Sequence, residues 1–224
     1  MKRVVTAELL DEDLGTPEEI RDSLKDLRGL NERFGGFSSV AQMLRAVASK
    51  EQLNTLSFLD VAGGTGDVAV RVRQDLSISG IEVQPTVLDR AISHMNRLRL
   101  LRVAGNALTL PFADNSFDVV GCNLFCHHLE PQEMILFFND ALRVARLAVI
   151  ASDLRRTLFH WVAANAGRLT YRSRLTRHDA PASVRRAFTI EEMQSIASQT
   201  NAARFDLQKY HFQRFGLILW KARS

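Results

Sequence analysis

The sequence predicts an α/β fold in which helices cover both faces of a doubly wound, mostly parallel sheet. Two observations carry this prediction. Apolar, strand-like runs alternate with amphipathic helical patterns along most of the 224 residues. In addition, the first apolar run ends in a glycine-rich turn that leads directly into a helix. Strands that alternate with helices form parallel sheets, because each crossover helix returns the chain to the same edge.

The elements can be placed in order along the chain. The segment Thr16–Glu19 is a helix-start pattern with a candidate N-cap, a proline at the first helical position and two acids that complement the helix dipole. Gly35 and Gly36 separate this helix from a second amphipathic one. Strands are predicted at 56–61, 78–83, 100–104, 117–123 and 147–153. Helices are predicted at 67–75, 85–97 and 131–145. Ligands bind beyond the carboxyl ends of the strands in such sheets.

The turn after the first strand, within Leu59–Asp67, is the most informative segment of the chain. Gly63, Gly64 and Gly66 allow backbone conformations that other residues avoid, and they let a ligand approach the backbone closely. The helix that begins near Asp67 directs unpaired N–H groups at that ligand. This arrangement is typical of a nucleotide-type binding site.

Two kinds of nucleotide fit the turn. Gly64–Ala69 matches the dinucleotide pattern G-x-G-x-x-G/A, and Glu82 lies roughly 20 residues further on, where an acid that binds ribose is expected. Asp60 argues against a dinucleotide, because its carboxylate would repel a pyrophosphate. The same carboxylate would attract the cationic amino-acid end of S-adenosylmethionine. Asp60 also has a structural interpretation, as a buried carboxylate kept ionised by N–H groups of the glycine turn.

Leu59–Asp67 resembles motif I of the class I S-adenosylmethionine-dependent methyltransferases. Its sequence A-G-G-T-G-D is close to that of the ubiquinone/menaquinone C-methyltransferases. The motif is also similar to that of small-molecule O-methyltransferases of the phenolic and polyketide type. Three further blocks follow in the order of the family: Ile81–Pro85, Gly105–Phe112 and Phe117–Leu129. Four motifs in register are far more specific than a single glycine turn.

The resemblance implies a Rossmann-like, seven-stranded sheet, whose last two strands lie near 203–210 and 214–221, the final one antiparallel. It implies that residues 1–50 form a helical lid over the cofactor and that residues 51–224 form the domain that binds S-adenosyl-L-methionine. Many relatives carry Pro-Gly-Gly before the fifth strand. This chain does not, so we expect the preceding helix to run almost directly into that strand.

The resemblance also implies which residues hold the cofactor. Glu82 would bind the ribose hydroxyls, and the block that contains Asn106 would flank the adenine. The family usually has Asp at this position, but the amide oxygen of Asn106 can still accept a hydrogen bond from the adenine amino group. The expected cofactor-binding set is Asp60, Ala62, Gly63, Gly64, Gly66, Glu82, Val83, Asn106, Ala107 and Asn123.

The candidate catalytic residues follow strands four and five. His127 and His128 lie beside the expected position of the methyl group, and similar His-His pairs carry catalysis in some natural-product O-methyltransferases. Histidine suits a general base at neutral pH, and Asp153 is placed to orient one of the rings. The alternative is structural, with His128 capping the next helix or bonding to the backbone.

Residues 154–188 do not fit a simple return helix, and we expect this insertion to build the acceptor pocket. From Arg155 to Arg186 it holds eight arginines against one acid, Asp179, in a chain of net charge +4. Such a run indicates a solvated basic surface, an anionic substrate or carrier, a membrane surface, or nucleic acid. The predicted acceptor-binding residues are Phe34, Arg155, Arg156 and Trp161.

Composition narrows the class of protein. With 46% hydrophobic residues the chain can bury a substantial core, and no apolar run approaches the roughly 18 residues of a membrane span. The N-terminal segment lacks the apolar core of a signal peptide, so we expect a cytoplasmic protein. Cys122 and Cys126 adjoin the paired histidines, but metal ligands in such a cluster usually come with a second pair elsewhere. We therefore expect buried free thiols and no metal.

The sequence thus predicts a methyltransferase that acts on a small molecule, with O-methylation of a phenolic or polyketide-like acceptor favoured. The alternatives are C-methylation of a quinone-type ring, RNA methylation and a non-catalytic cofactor-binding subunit. An N-P-P-Y-type motif and an appended RNA-binding module are both missing from the sequence, which disfavours nucleic acid. The intact motif I and the paired histidines argue against a non-catalytic role. The oligomeric state stays open.

Overall fold

The computed structural model describes residues 1–12, 14–90 and 100–222. Its strands are β1 (Thr55–Val61), β2 (Glu82–Asp89), β3 (Leu101–Ala104), β4 (Phe117–Asn123), β5 (Ala145–Leu154), β6 (Arg204–Tyr210) and β7 (Arg214–Trp220). Its helices are α1 (Pro17–Arg33), α2 (Gly36–Glu51), α3 (Asp67–Ser77), α4 (Pro131–Val144), α5 (Leu158–Gly167), α6 (Arg174–Arg186) and α7 (Ile190–Ala197). Within the described ranges, no helix has both the length and the apolar character that crossing a membrane requires.

The seven strands form one sheet in the order β3-β2-β1-β4-β5-β7-β6. The pairs from β3 to β5 are parallel, and β7 runs antiparallel to both of its neighbours. The predicted Rossmann-like, mostly parallel sheet with an antiparallel last strand is therefore confirmed. The strand order reverses between β1 and β4, and such a switch point creates a crevice beyond the carboxyl ends of the strands.

The hydrophobic core has two layers, one on each face of the sheet. Phe58 on β1 belongs to the layer that contains α2 and α3, whereas Leu59 belongs to the layer that contains α4 and α7. This division follows from the alternation of side chains along a strand. Val40 and Leu44 of α2 are buried in the first layer. The lid predicted for residues 1–50 is therefore wrong for α2, which is a core helix.

Most element boundaries agree with the sequence, and the second strand is the main correction. The predicted strand 78–83 and the start of the predicted helix 85–97 are replaced by β2, while residues 91–97 lie outside the described residues. Pro85, which reads as a helix start, sits within β2 opposite Phe58 and one residue before pairing with β3 begins. A proline is tolerated there because β2 has only one neighbour at that point.

The helix signals in the sequence have clear structural counterparts. Thr16 caps α1 and forms a capping box with Glu19, and Thr189 does the same for α7 with Glu192. Each box pairs two backbone N–H groups that would otherwise lack a partner at a helix start. The helix α4 ends at Val144 and β5 begins at the next residue, as the missing Pro-Gly-Gly predicts.

Residues 1–12, which we call the N-terminal strap, are fastened across the insertion. The carboxylate of Asp179 on α6 accepts the backbone N–H groups of Leu9 and Leu10. The guanidinium of Arg3 donates to the carbonyl oxygens of Arg186 and Leu129. These bonds hold the strap against the active-site end of the sheet.

The tight packing of the sheet gives a stability prediction. A Cβ atom added at Gly121 on β4 would lie 2.6 Å from Ile150 Cγ1 and 2.9 Å from Phe58 Cε2. We expect Gly121→Ala to lower the free energy of unfolding by about 1–3 kcal/mol, because the packed core cannot absorb the extra atom. Urea denaturation followed by circular dichroism measures this change.

The matched control is Gly29→Ala in α1, where an added Cβ would meet nothing within 4 Å among the described residues. Alanine restricts the unfolded chain and favours a helix, so this variant should gain about 0.5–1 kcal/mol. Equal stability of Gly121→Ala and the wild type would show that the β4–β5 contact is looser than the structure indicates.

Candidate active site

A cavity of about 1010 Å³ opens beyond the carboxyl ends of β1, β2 and β4. Its volume lies at the upper end of the range of roughly 300–1,000 Å³ for small-molecule sites. The glycine turn forms one wall, and the strap, α1, α5 and α6 form the others. Its apolar lining includes Leu24, Leu27, Phe34, Phe125, Phe159 and Phe212. The insertion thus contributes to the pocket.

The glycine turn has the strained backbone that its sequence predicts. Ala62 and Gly64 have φ angles of 55° and 52°, and Gly66 has a φ of 78°. Ala62, Gly63 and Gly64 line the cavity. Gly66 is instead the left-handed N-cap of α3 and does not belong to the cavity lining formed by the described residues. Its role is to shape the turn.

Asp60 is a buried carboxylate that faces the cavity, with 1% of its surface exposed. No donor in the described part of the chain bonds to its Oδ2 atom. Burial, with a contribution from the charge of Asp89, raises the pKa of Asp60 to about 7. The interpretation that N–H groups of the turn keep Asp60 ionised is therefore wrong. A cationic ligand group would supply a partner for this oxygen.

Glu82 and Val83 do not belong to the cavity lining formed by the described residues, so the predictions that Glu82 binds ribose and that Val83 binds the cofactor are wrong. Both lie at the start of β2, where Glu82 pairs with Thr55 at the opposite edge of the sheet. The acid at the carboxyl end of β2 is Asp89. Its Oδ2 atom accepts the Gly64 N–H at 2.7 Å, and its side chain lines the cavity. Asp89 occupies the position expected of a ribose-binding acid.

Asn106 and Ala107, which belong to the block predicted to flank the adenine, line the cavity. The Oδ1 atom of Asn106 accepts the Leu108 N–H at 3.0 Å. This bond uses one of the two lone pairs of the oxygen and fixes the orientation of the amide. One acceptor position of Asn106 is left for a ligand.

Asn123, at the end of β4, belongs to a buried polar network that the sequence did not reveal. Its Nδ2 atom donates to Asn31 Oδ1, and its Oδ1 atom accepts from the guanidinium of Arg214. Arg214 also donates to Asn31 Oδ1 and to the Phe34 carbonyl. Burial lowers the pKa of Arg214 to about 10, against the opposing charge of Asp153. The only signal was an arginine at the head of an apolar strand.

His127 lies between two carboxylates. Its Nδ1 atom is 2.8 Å from Asp153 Oδ1, and its backbone N–H donates to the other oxygen of Asp153. Its Nε2 atom is 3.5 Å from Oε1 of Glu8, a residue of the strap. All three side chains are buried. The predicted pairing of Asp153 with His127 is present in the structure, and Glu8 is a partner that sequence reasoning missed.

His128 has a carboxylate of its own. Its Nδ1 atom is 2.7 Å from Oδ2 of Asp11, which also belongs to the strap. The backbone carbonyl of His128 accepts a bond from the guanidinium of Arg186. The next helix, α4, is capped by Glu130 with Glu133, so the interpretation of His128 as a helix cap is wrong. Both imidazole rings line the cavity, 4.1 Å apart between centroids.

The charges around His127 decide its protonation. Burial disfavours the imidazolium, but Asp153 and Glu8 outweigh burial and raise the pKa of His127 to about 10. Burial would likewise raise the pKa of Asp153, but the His127 charge and two backbone N–H groups hold it below its usual value. At neutral pH the imidazole ring of His127 is therefore protonated. In this state it cannot take a proton from the hydroxyl group of a methyl acceptor.

The predicted acceptor-binding residues divide into two groups. Phe34 lines the cavity, whereas Arg155 and Trp161 lie outside the lining formed by the described residues. Arg156 is buried and donates to the carbonyls of Met1 and Ala187 and to the Glu192 carboxylate. Its donors are used inside the protein, so the prediction that Arg156 binds substrate is wrong.

His160, on α5, is a cavity residue that the sequence did not single out. Its Nδ1 atom is 3.1 Å from the carbonyl oxygen of Arg155. A carbonyl only accepts, so Nδ1 carries the proton of the neutral ring and Nε2 is free to accept one. Burial lowers the pKa of His160 below its usual value, and the charges of Arg214 and Arg155 act in the same direction. His160 is neutral at pH 7.

Comparisons with known proteins agree with this geometry. Residues 58–148 match the family model described as a methyltransferase domain. The ubiquinone/menaquinone biosynthesis C-methyltransferase UbiE of Roseobacter denitrificans is 37% identical over a region that covers 39% of this chain and 37% of that protein. The aligned part thus spans little more than a third of that curated relative.

Solved structures show the same fold over nearly the whole chain. The plantazolicin methyltransferase BpumL, in complex with a monoazolic desmethylPZN analog and SAH, matches with a TM-score of 0.68 over 96% of this chain and 95% of that one, at 11% identity. Magnesium protoporphyrin IX methyltransferase from Synechocystis, with bound SAH, matches with a TM-score of 0.54 over 84% of each chain, at 14% identity. At these identities the likeness concerns the fold alone.

The sheet order and the glycine turn after β1 have the arrangement expected of the class I methyltransferase fold, and residues 58–148 are similar to a methyltransferase domain. Both of these solved structures hold SAH, the demethylated form of S-adenosyl-L-methionine, and S-adenosyl-L-methionine is the cofactor that the sequence implies for this chain. The cavity fits this cofactor, since the unpartnered carboxylate of Asp60 matches a cationic amino-acid end and Asp89 matches a ribose.

The reassignment of the ribose-binding acid from Glu82 to Asp89 gives a binding prediction. We expect Asp89→Ala to weaken S-adenosylhomocysteine binding by about 1–3 kcal/mol, the scale of hydrogen bonds to a charged group. Isothermal titration calorimetry measures the affinity. Glu82→Ala removes an equal charge from the same strand and should leave the affinity unchanged. The reverse result, with loss only in Glu82→Ala, would restore the assignment made from the sequence.

The buried triad of Glu8, His127 and Asp153 gives a pH prediction. The pKa of His127 is raised in the folded state from 6.5 to about 10. Its stabilising contribution is therefore complete below pH 6.5 and is lost as the pH rises through 10. We expect His127→Gln to cost about 3–5 kcal/mol at pH 7, because it strands two buried carboxylates.

Denaturant unfolding from pH 6.5 to 10 checks this prediction. The stability gap between wild type and His127→Gln should narrow steadily across that window. The exposed His211→Gln serves as the control, and its gap should stay small and constant. A gap for His127→Gln that does not change with pH would mean that His127 is neutral in the folded protein.

Proposed function

We propose that the protein transfers the methyl group of S-adenosylmethionine to an oxygen atom of a small, flat, largely apolar acceptor of the phenolic or polyketide type. The observation that carries this proposal is the cavity, in which one continuous space adjoins the glycine turn and several aromatic rings. Phe34 and Phe212 meet edge to face at 5.6 Å between ring centroids. Flat rings pack well against such side chains.

The protein's contribution to this reaction is alignment and the exclusion of water. Bound S-adenosylmethionine supplies the electrophilic methyl group. Asp60 would bind its amino-acid end and Asp89 its ribose. The helix α1 and the strap cover the space in which the acceptor would lie. Holding two reactants in line replaces a bimolecular encounter, which is worth roughly 7–11 kcal/mol of the barrier in favourable cases.

The proton of an acceptor hydroxyl needs a base. His127 carries a proton at neutral pH, so it is poorly suited to that role. His160 borders the same cavity and is neutral, and its Nε2 atom can accept a proton. We therefore assign the general base of the proposed O-methylation to His160, whose charged surroundings are Arg214, Arg155 and Asp153.

An acidic group on the acceptor would find its partner at Arg186 rather than in the predicted Arg155 and Arg156 pair. The Nε atom of Arg186 is buried, and among the described residues nothing accepts its hydrogen. Its side chain lines the cavity beside His128. A buried donor without an acceptor is costly, and a carboxylate or phenolate of the acceptor would relieve that cost.

C-methylation of a quinone-type ring is the second candidate, because the curated relative that matches the domain is a C-methyltransferase. Incubation with S-adenosylmethionine labelled with ¹³C in the methyl group separates the two reactions. A phenol panel should yield product signals in the O-methyl region of the NMR spectrum. Signals only in the C-methyl region would overturn the oxygen assignment, and the absence of S-adenosylhomocysteine formation with every acceptor would overturn the class of acceptor.

The base assignment gives a kinetic prediction. We expect His160→Gln to lower kcat by roughly 10²–10⁴-fold, the usual contribution of a general base, with S-adenosylhomocysteine affinity unchanged. The wild-type rate should fall on acidification with a pKa below 6.5, and this limb should vanish in the variant. The exposed His211→Gln provides the control. Retention of most of the activity in His160→Gln would exclude this residue as the base.

A further inference from the structure

Two histidines and one glutamate converge on the wall of the cavity formed by the strap. One ligand atom from each of Glu8, His127 and His128 lies within 4.8 Å of the others. All three side chains line the cavity. We propose that these residues bind a divalent transition-metal ion, with one coordination position left open to the cavity.

The surroundings of the two rings support this proposal. Asp153 holds the Nδ1 atom of His127 at 2.8 Å, and Asp11 holds the Nδ1 atom of His128 at 2.7 Å. Each aspartate thereby fixes the orientation of its ring and leaves Nε2 as the remaining nitrogen. A carboxylate behind a histidine is the usual second partner of a metal-binding imidazole, and it makes the ring a stronger ligand. Here the arrangement occurs twice, side by side.

The position of Glu8 is the second observation. Its Oε1 atom lies 3.5 Å from His127 Nε2, and in the described part of the chain it has no aligned hydrogen bond. Two ligands of a tetrahedral zinc ion, each about 2.0–2.1 Å from the metal, are about 3.3–3.4 Å apart. The two atoms are therefore spaced as neighbouring ligands would be. Only 8% of the surface of Glu8 is exposed, and its side chain lines the cavity.

The charge of the cluster points the same way. Three carboxylates, those of Glu8, Asp11 and Asp153, surround two imidazole rings. Asp153 and Asp11 each hold the Nδ1 atom of one ring, and Glu8 faces the other nitrogen of His127. A cation between Glu8 and the rings would replace the proton that otherwise holds this carboxylate to His127.

The donor set indicates the class of metal. Two imidazole nitrogens and one carboxylate oxygen suit Zn²⁺, Mn²⁺, Fe²⁺ or Co²⁺, whereas Mg²⁺ and Ca²⁺ prefer oxygen ligands throughout. Three protein ligands with an open fourth position are typical of catalytic zinc sites. Sequence reasoning did not find this set, because Glu8 lies in the strap and more than a hundred residues separate it from the histidines.

The role of the ion rests on the proposed function, although its binding does not. An acceptor oxygen at the open position would lose its hydroxyl proton more readily, since a Lewis acid stabilises the anion. The proton passes to His160, and the oxygen then forms a bond to the methyl carbon. The carbon–sulfur bond breaks with its electron pair kept by sulfur, which yields S-adenosylhomocysteine. The ion is unchanged by this transfer.

Direct metal binding tests the site without an activity assay. The chain is prepared without a histidine tag, treated with a chelator and titrated with Zn²⁺ in a calorimeter. Titration with Co²⁺ follows the visible absorption that a low-symmetry nitrogen and oxygen site produces. We expect one ion per chain for each metal and no comparable binding of Mg²⁺. Glu8→Gln should weaken Zn²⁺ binding by roughly tenfold or more, and His128→Gln should abolish it.

The matched control is Glu12→Gln, which removes the same charge from an exposed position of the same strap and should bind Zn²⁺ like the wild type. Asp11→Asn is a second variant, expected to lose roughly 10–100-fold in affinity because it removes the partner of His128 Nδ1. Each variant is shown to be folded by its S-adenosylhomocysteine affinity and its unfolding midpoint.

Three results would bear on the two proposals separately. Zn²⁺ binding that persists in both Glu8→Gln and His128→Gln is adventitious and overturns the site. No Zn²⁺ binding in a wild-type chain that binds S-adenosylhomocysteine also overturns the site and leaves the proposed methyl transfer intact. One-site Zn²⁺ binding in a chain that does not bind S-adenosylhomocysteine supports the site and overturns the proposed function.

Discussion

The contact between Asp153 and His127 is the interaction on which the active-site end of the molecule depends. The Asp153 carboxylate is buried at the end of β5 and accepts N–H groups from the His127 backbone, the His127 ring and Leu154. A buried carboxylate is costly unless it is paired and hydrogen-bonded. The hydrogen bonds that Asp153 accepts from His127 therefore fix the turn after β4. Because Glu8 contacts the His127 ring, the same bonds also set where Glu8 of the strap can lie. Three parts of the chain, namely β5, the turn after β4 and the strap, therefore meet at this carboxylate.

The arginine run shows how a charge pattern can mislead. Counted along the sequence, eight arginines in the insertion indicate an anionic ligand or surface. In the structure, Arg156 and Arg186 direct donors at backbone carbonyls of neighbouring segments, and Arg174 and Arg177 bond to residues within the fold. A guanidinium carries five N–H donors in a fixed plane, so it can bind several backbone carbonyl oxygens of irregular segments at once. Charge counts do not reveal whether those donors face inward or outward.

The sequence carries enough information for the fold and for half of the site. The apolar periodicity and the glycine turn place β1, α3, β4 and α4 to within two residues, because these signals are local. The acid of β2 was misassigned because Pro85 reads as a helix start, which ends the strand too early and selects Glu82 in place of Asp89. Glu8, Asp11 and Arg214 could not be found in this way, since their roles arise only when distant segments fold together.

The unpartnered Asp60 has a consequence for the thermodynamics of cofactor uptake. With a pKa of about 7, this carboxyl group is divided between its neutral and ionised forms in a neutral solution. A cation that settles against Asp60 selects the ionised form, so its arrival expels a fraction of a proton into the buffer. The heat of cofactor binding then contains the ionisation heat of the buffer. The apparent affinity for such a cation would decline in mildly acidic solution, which would couple cofactor binding to the pH around the protein.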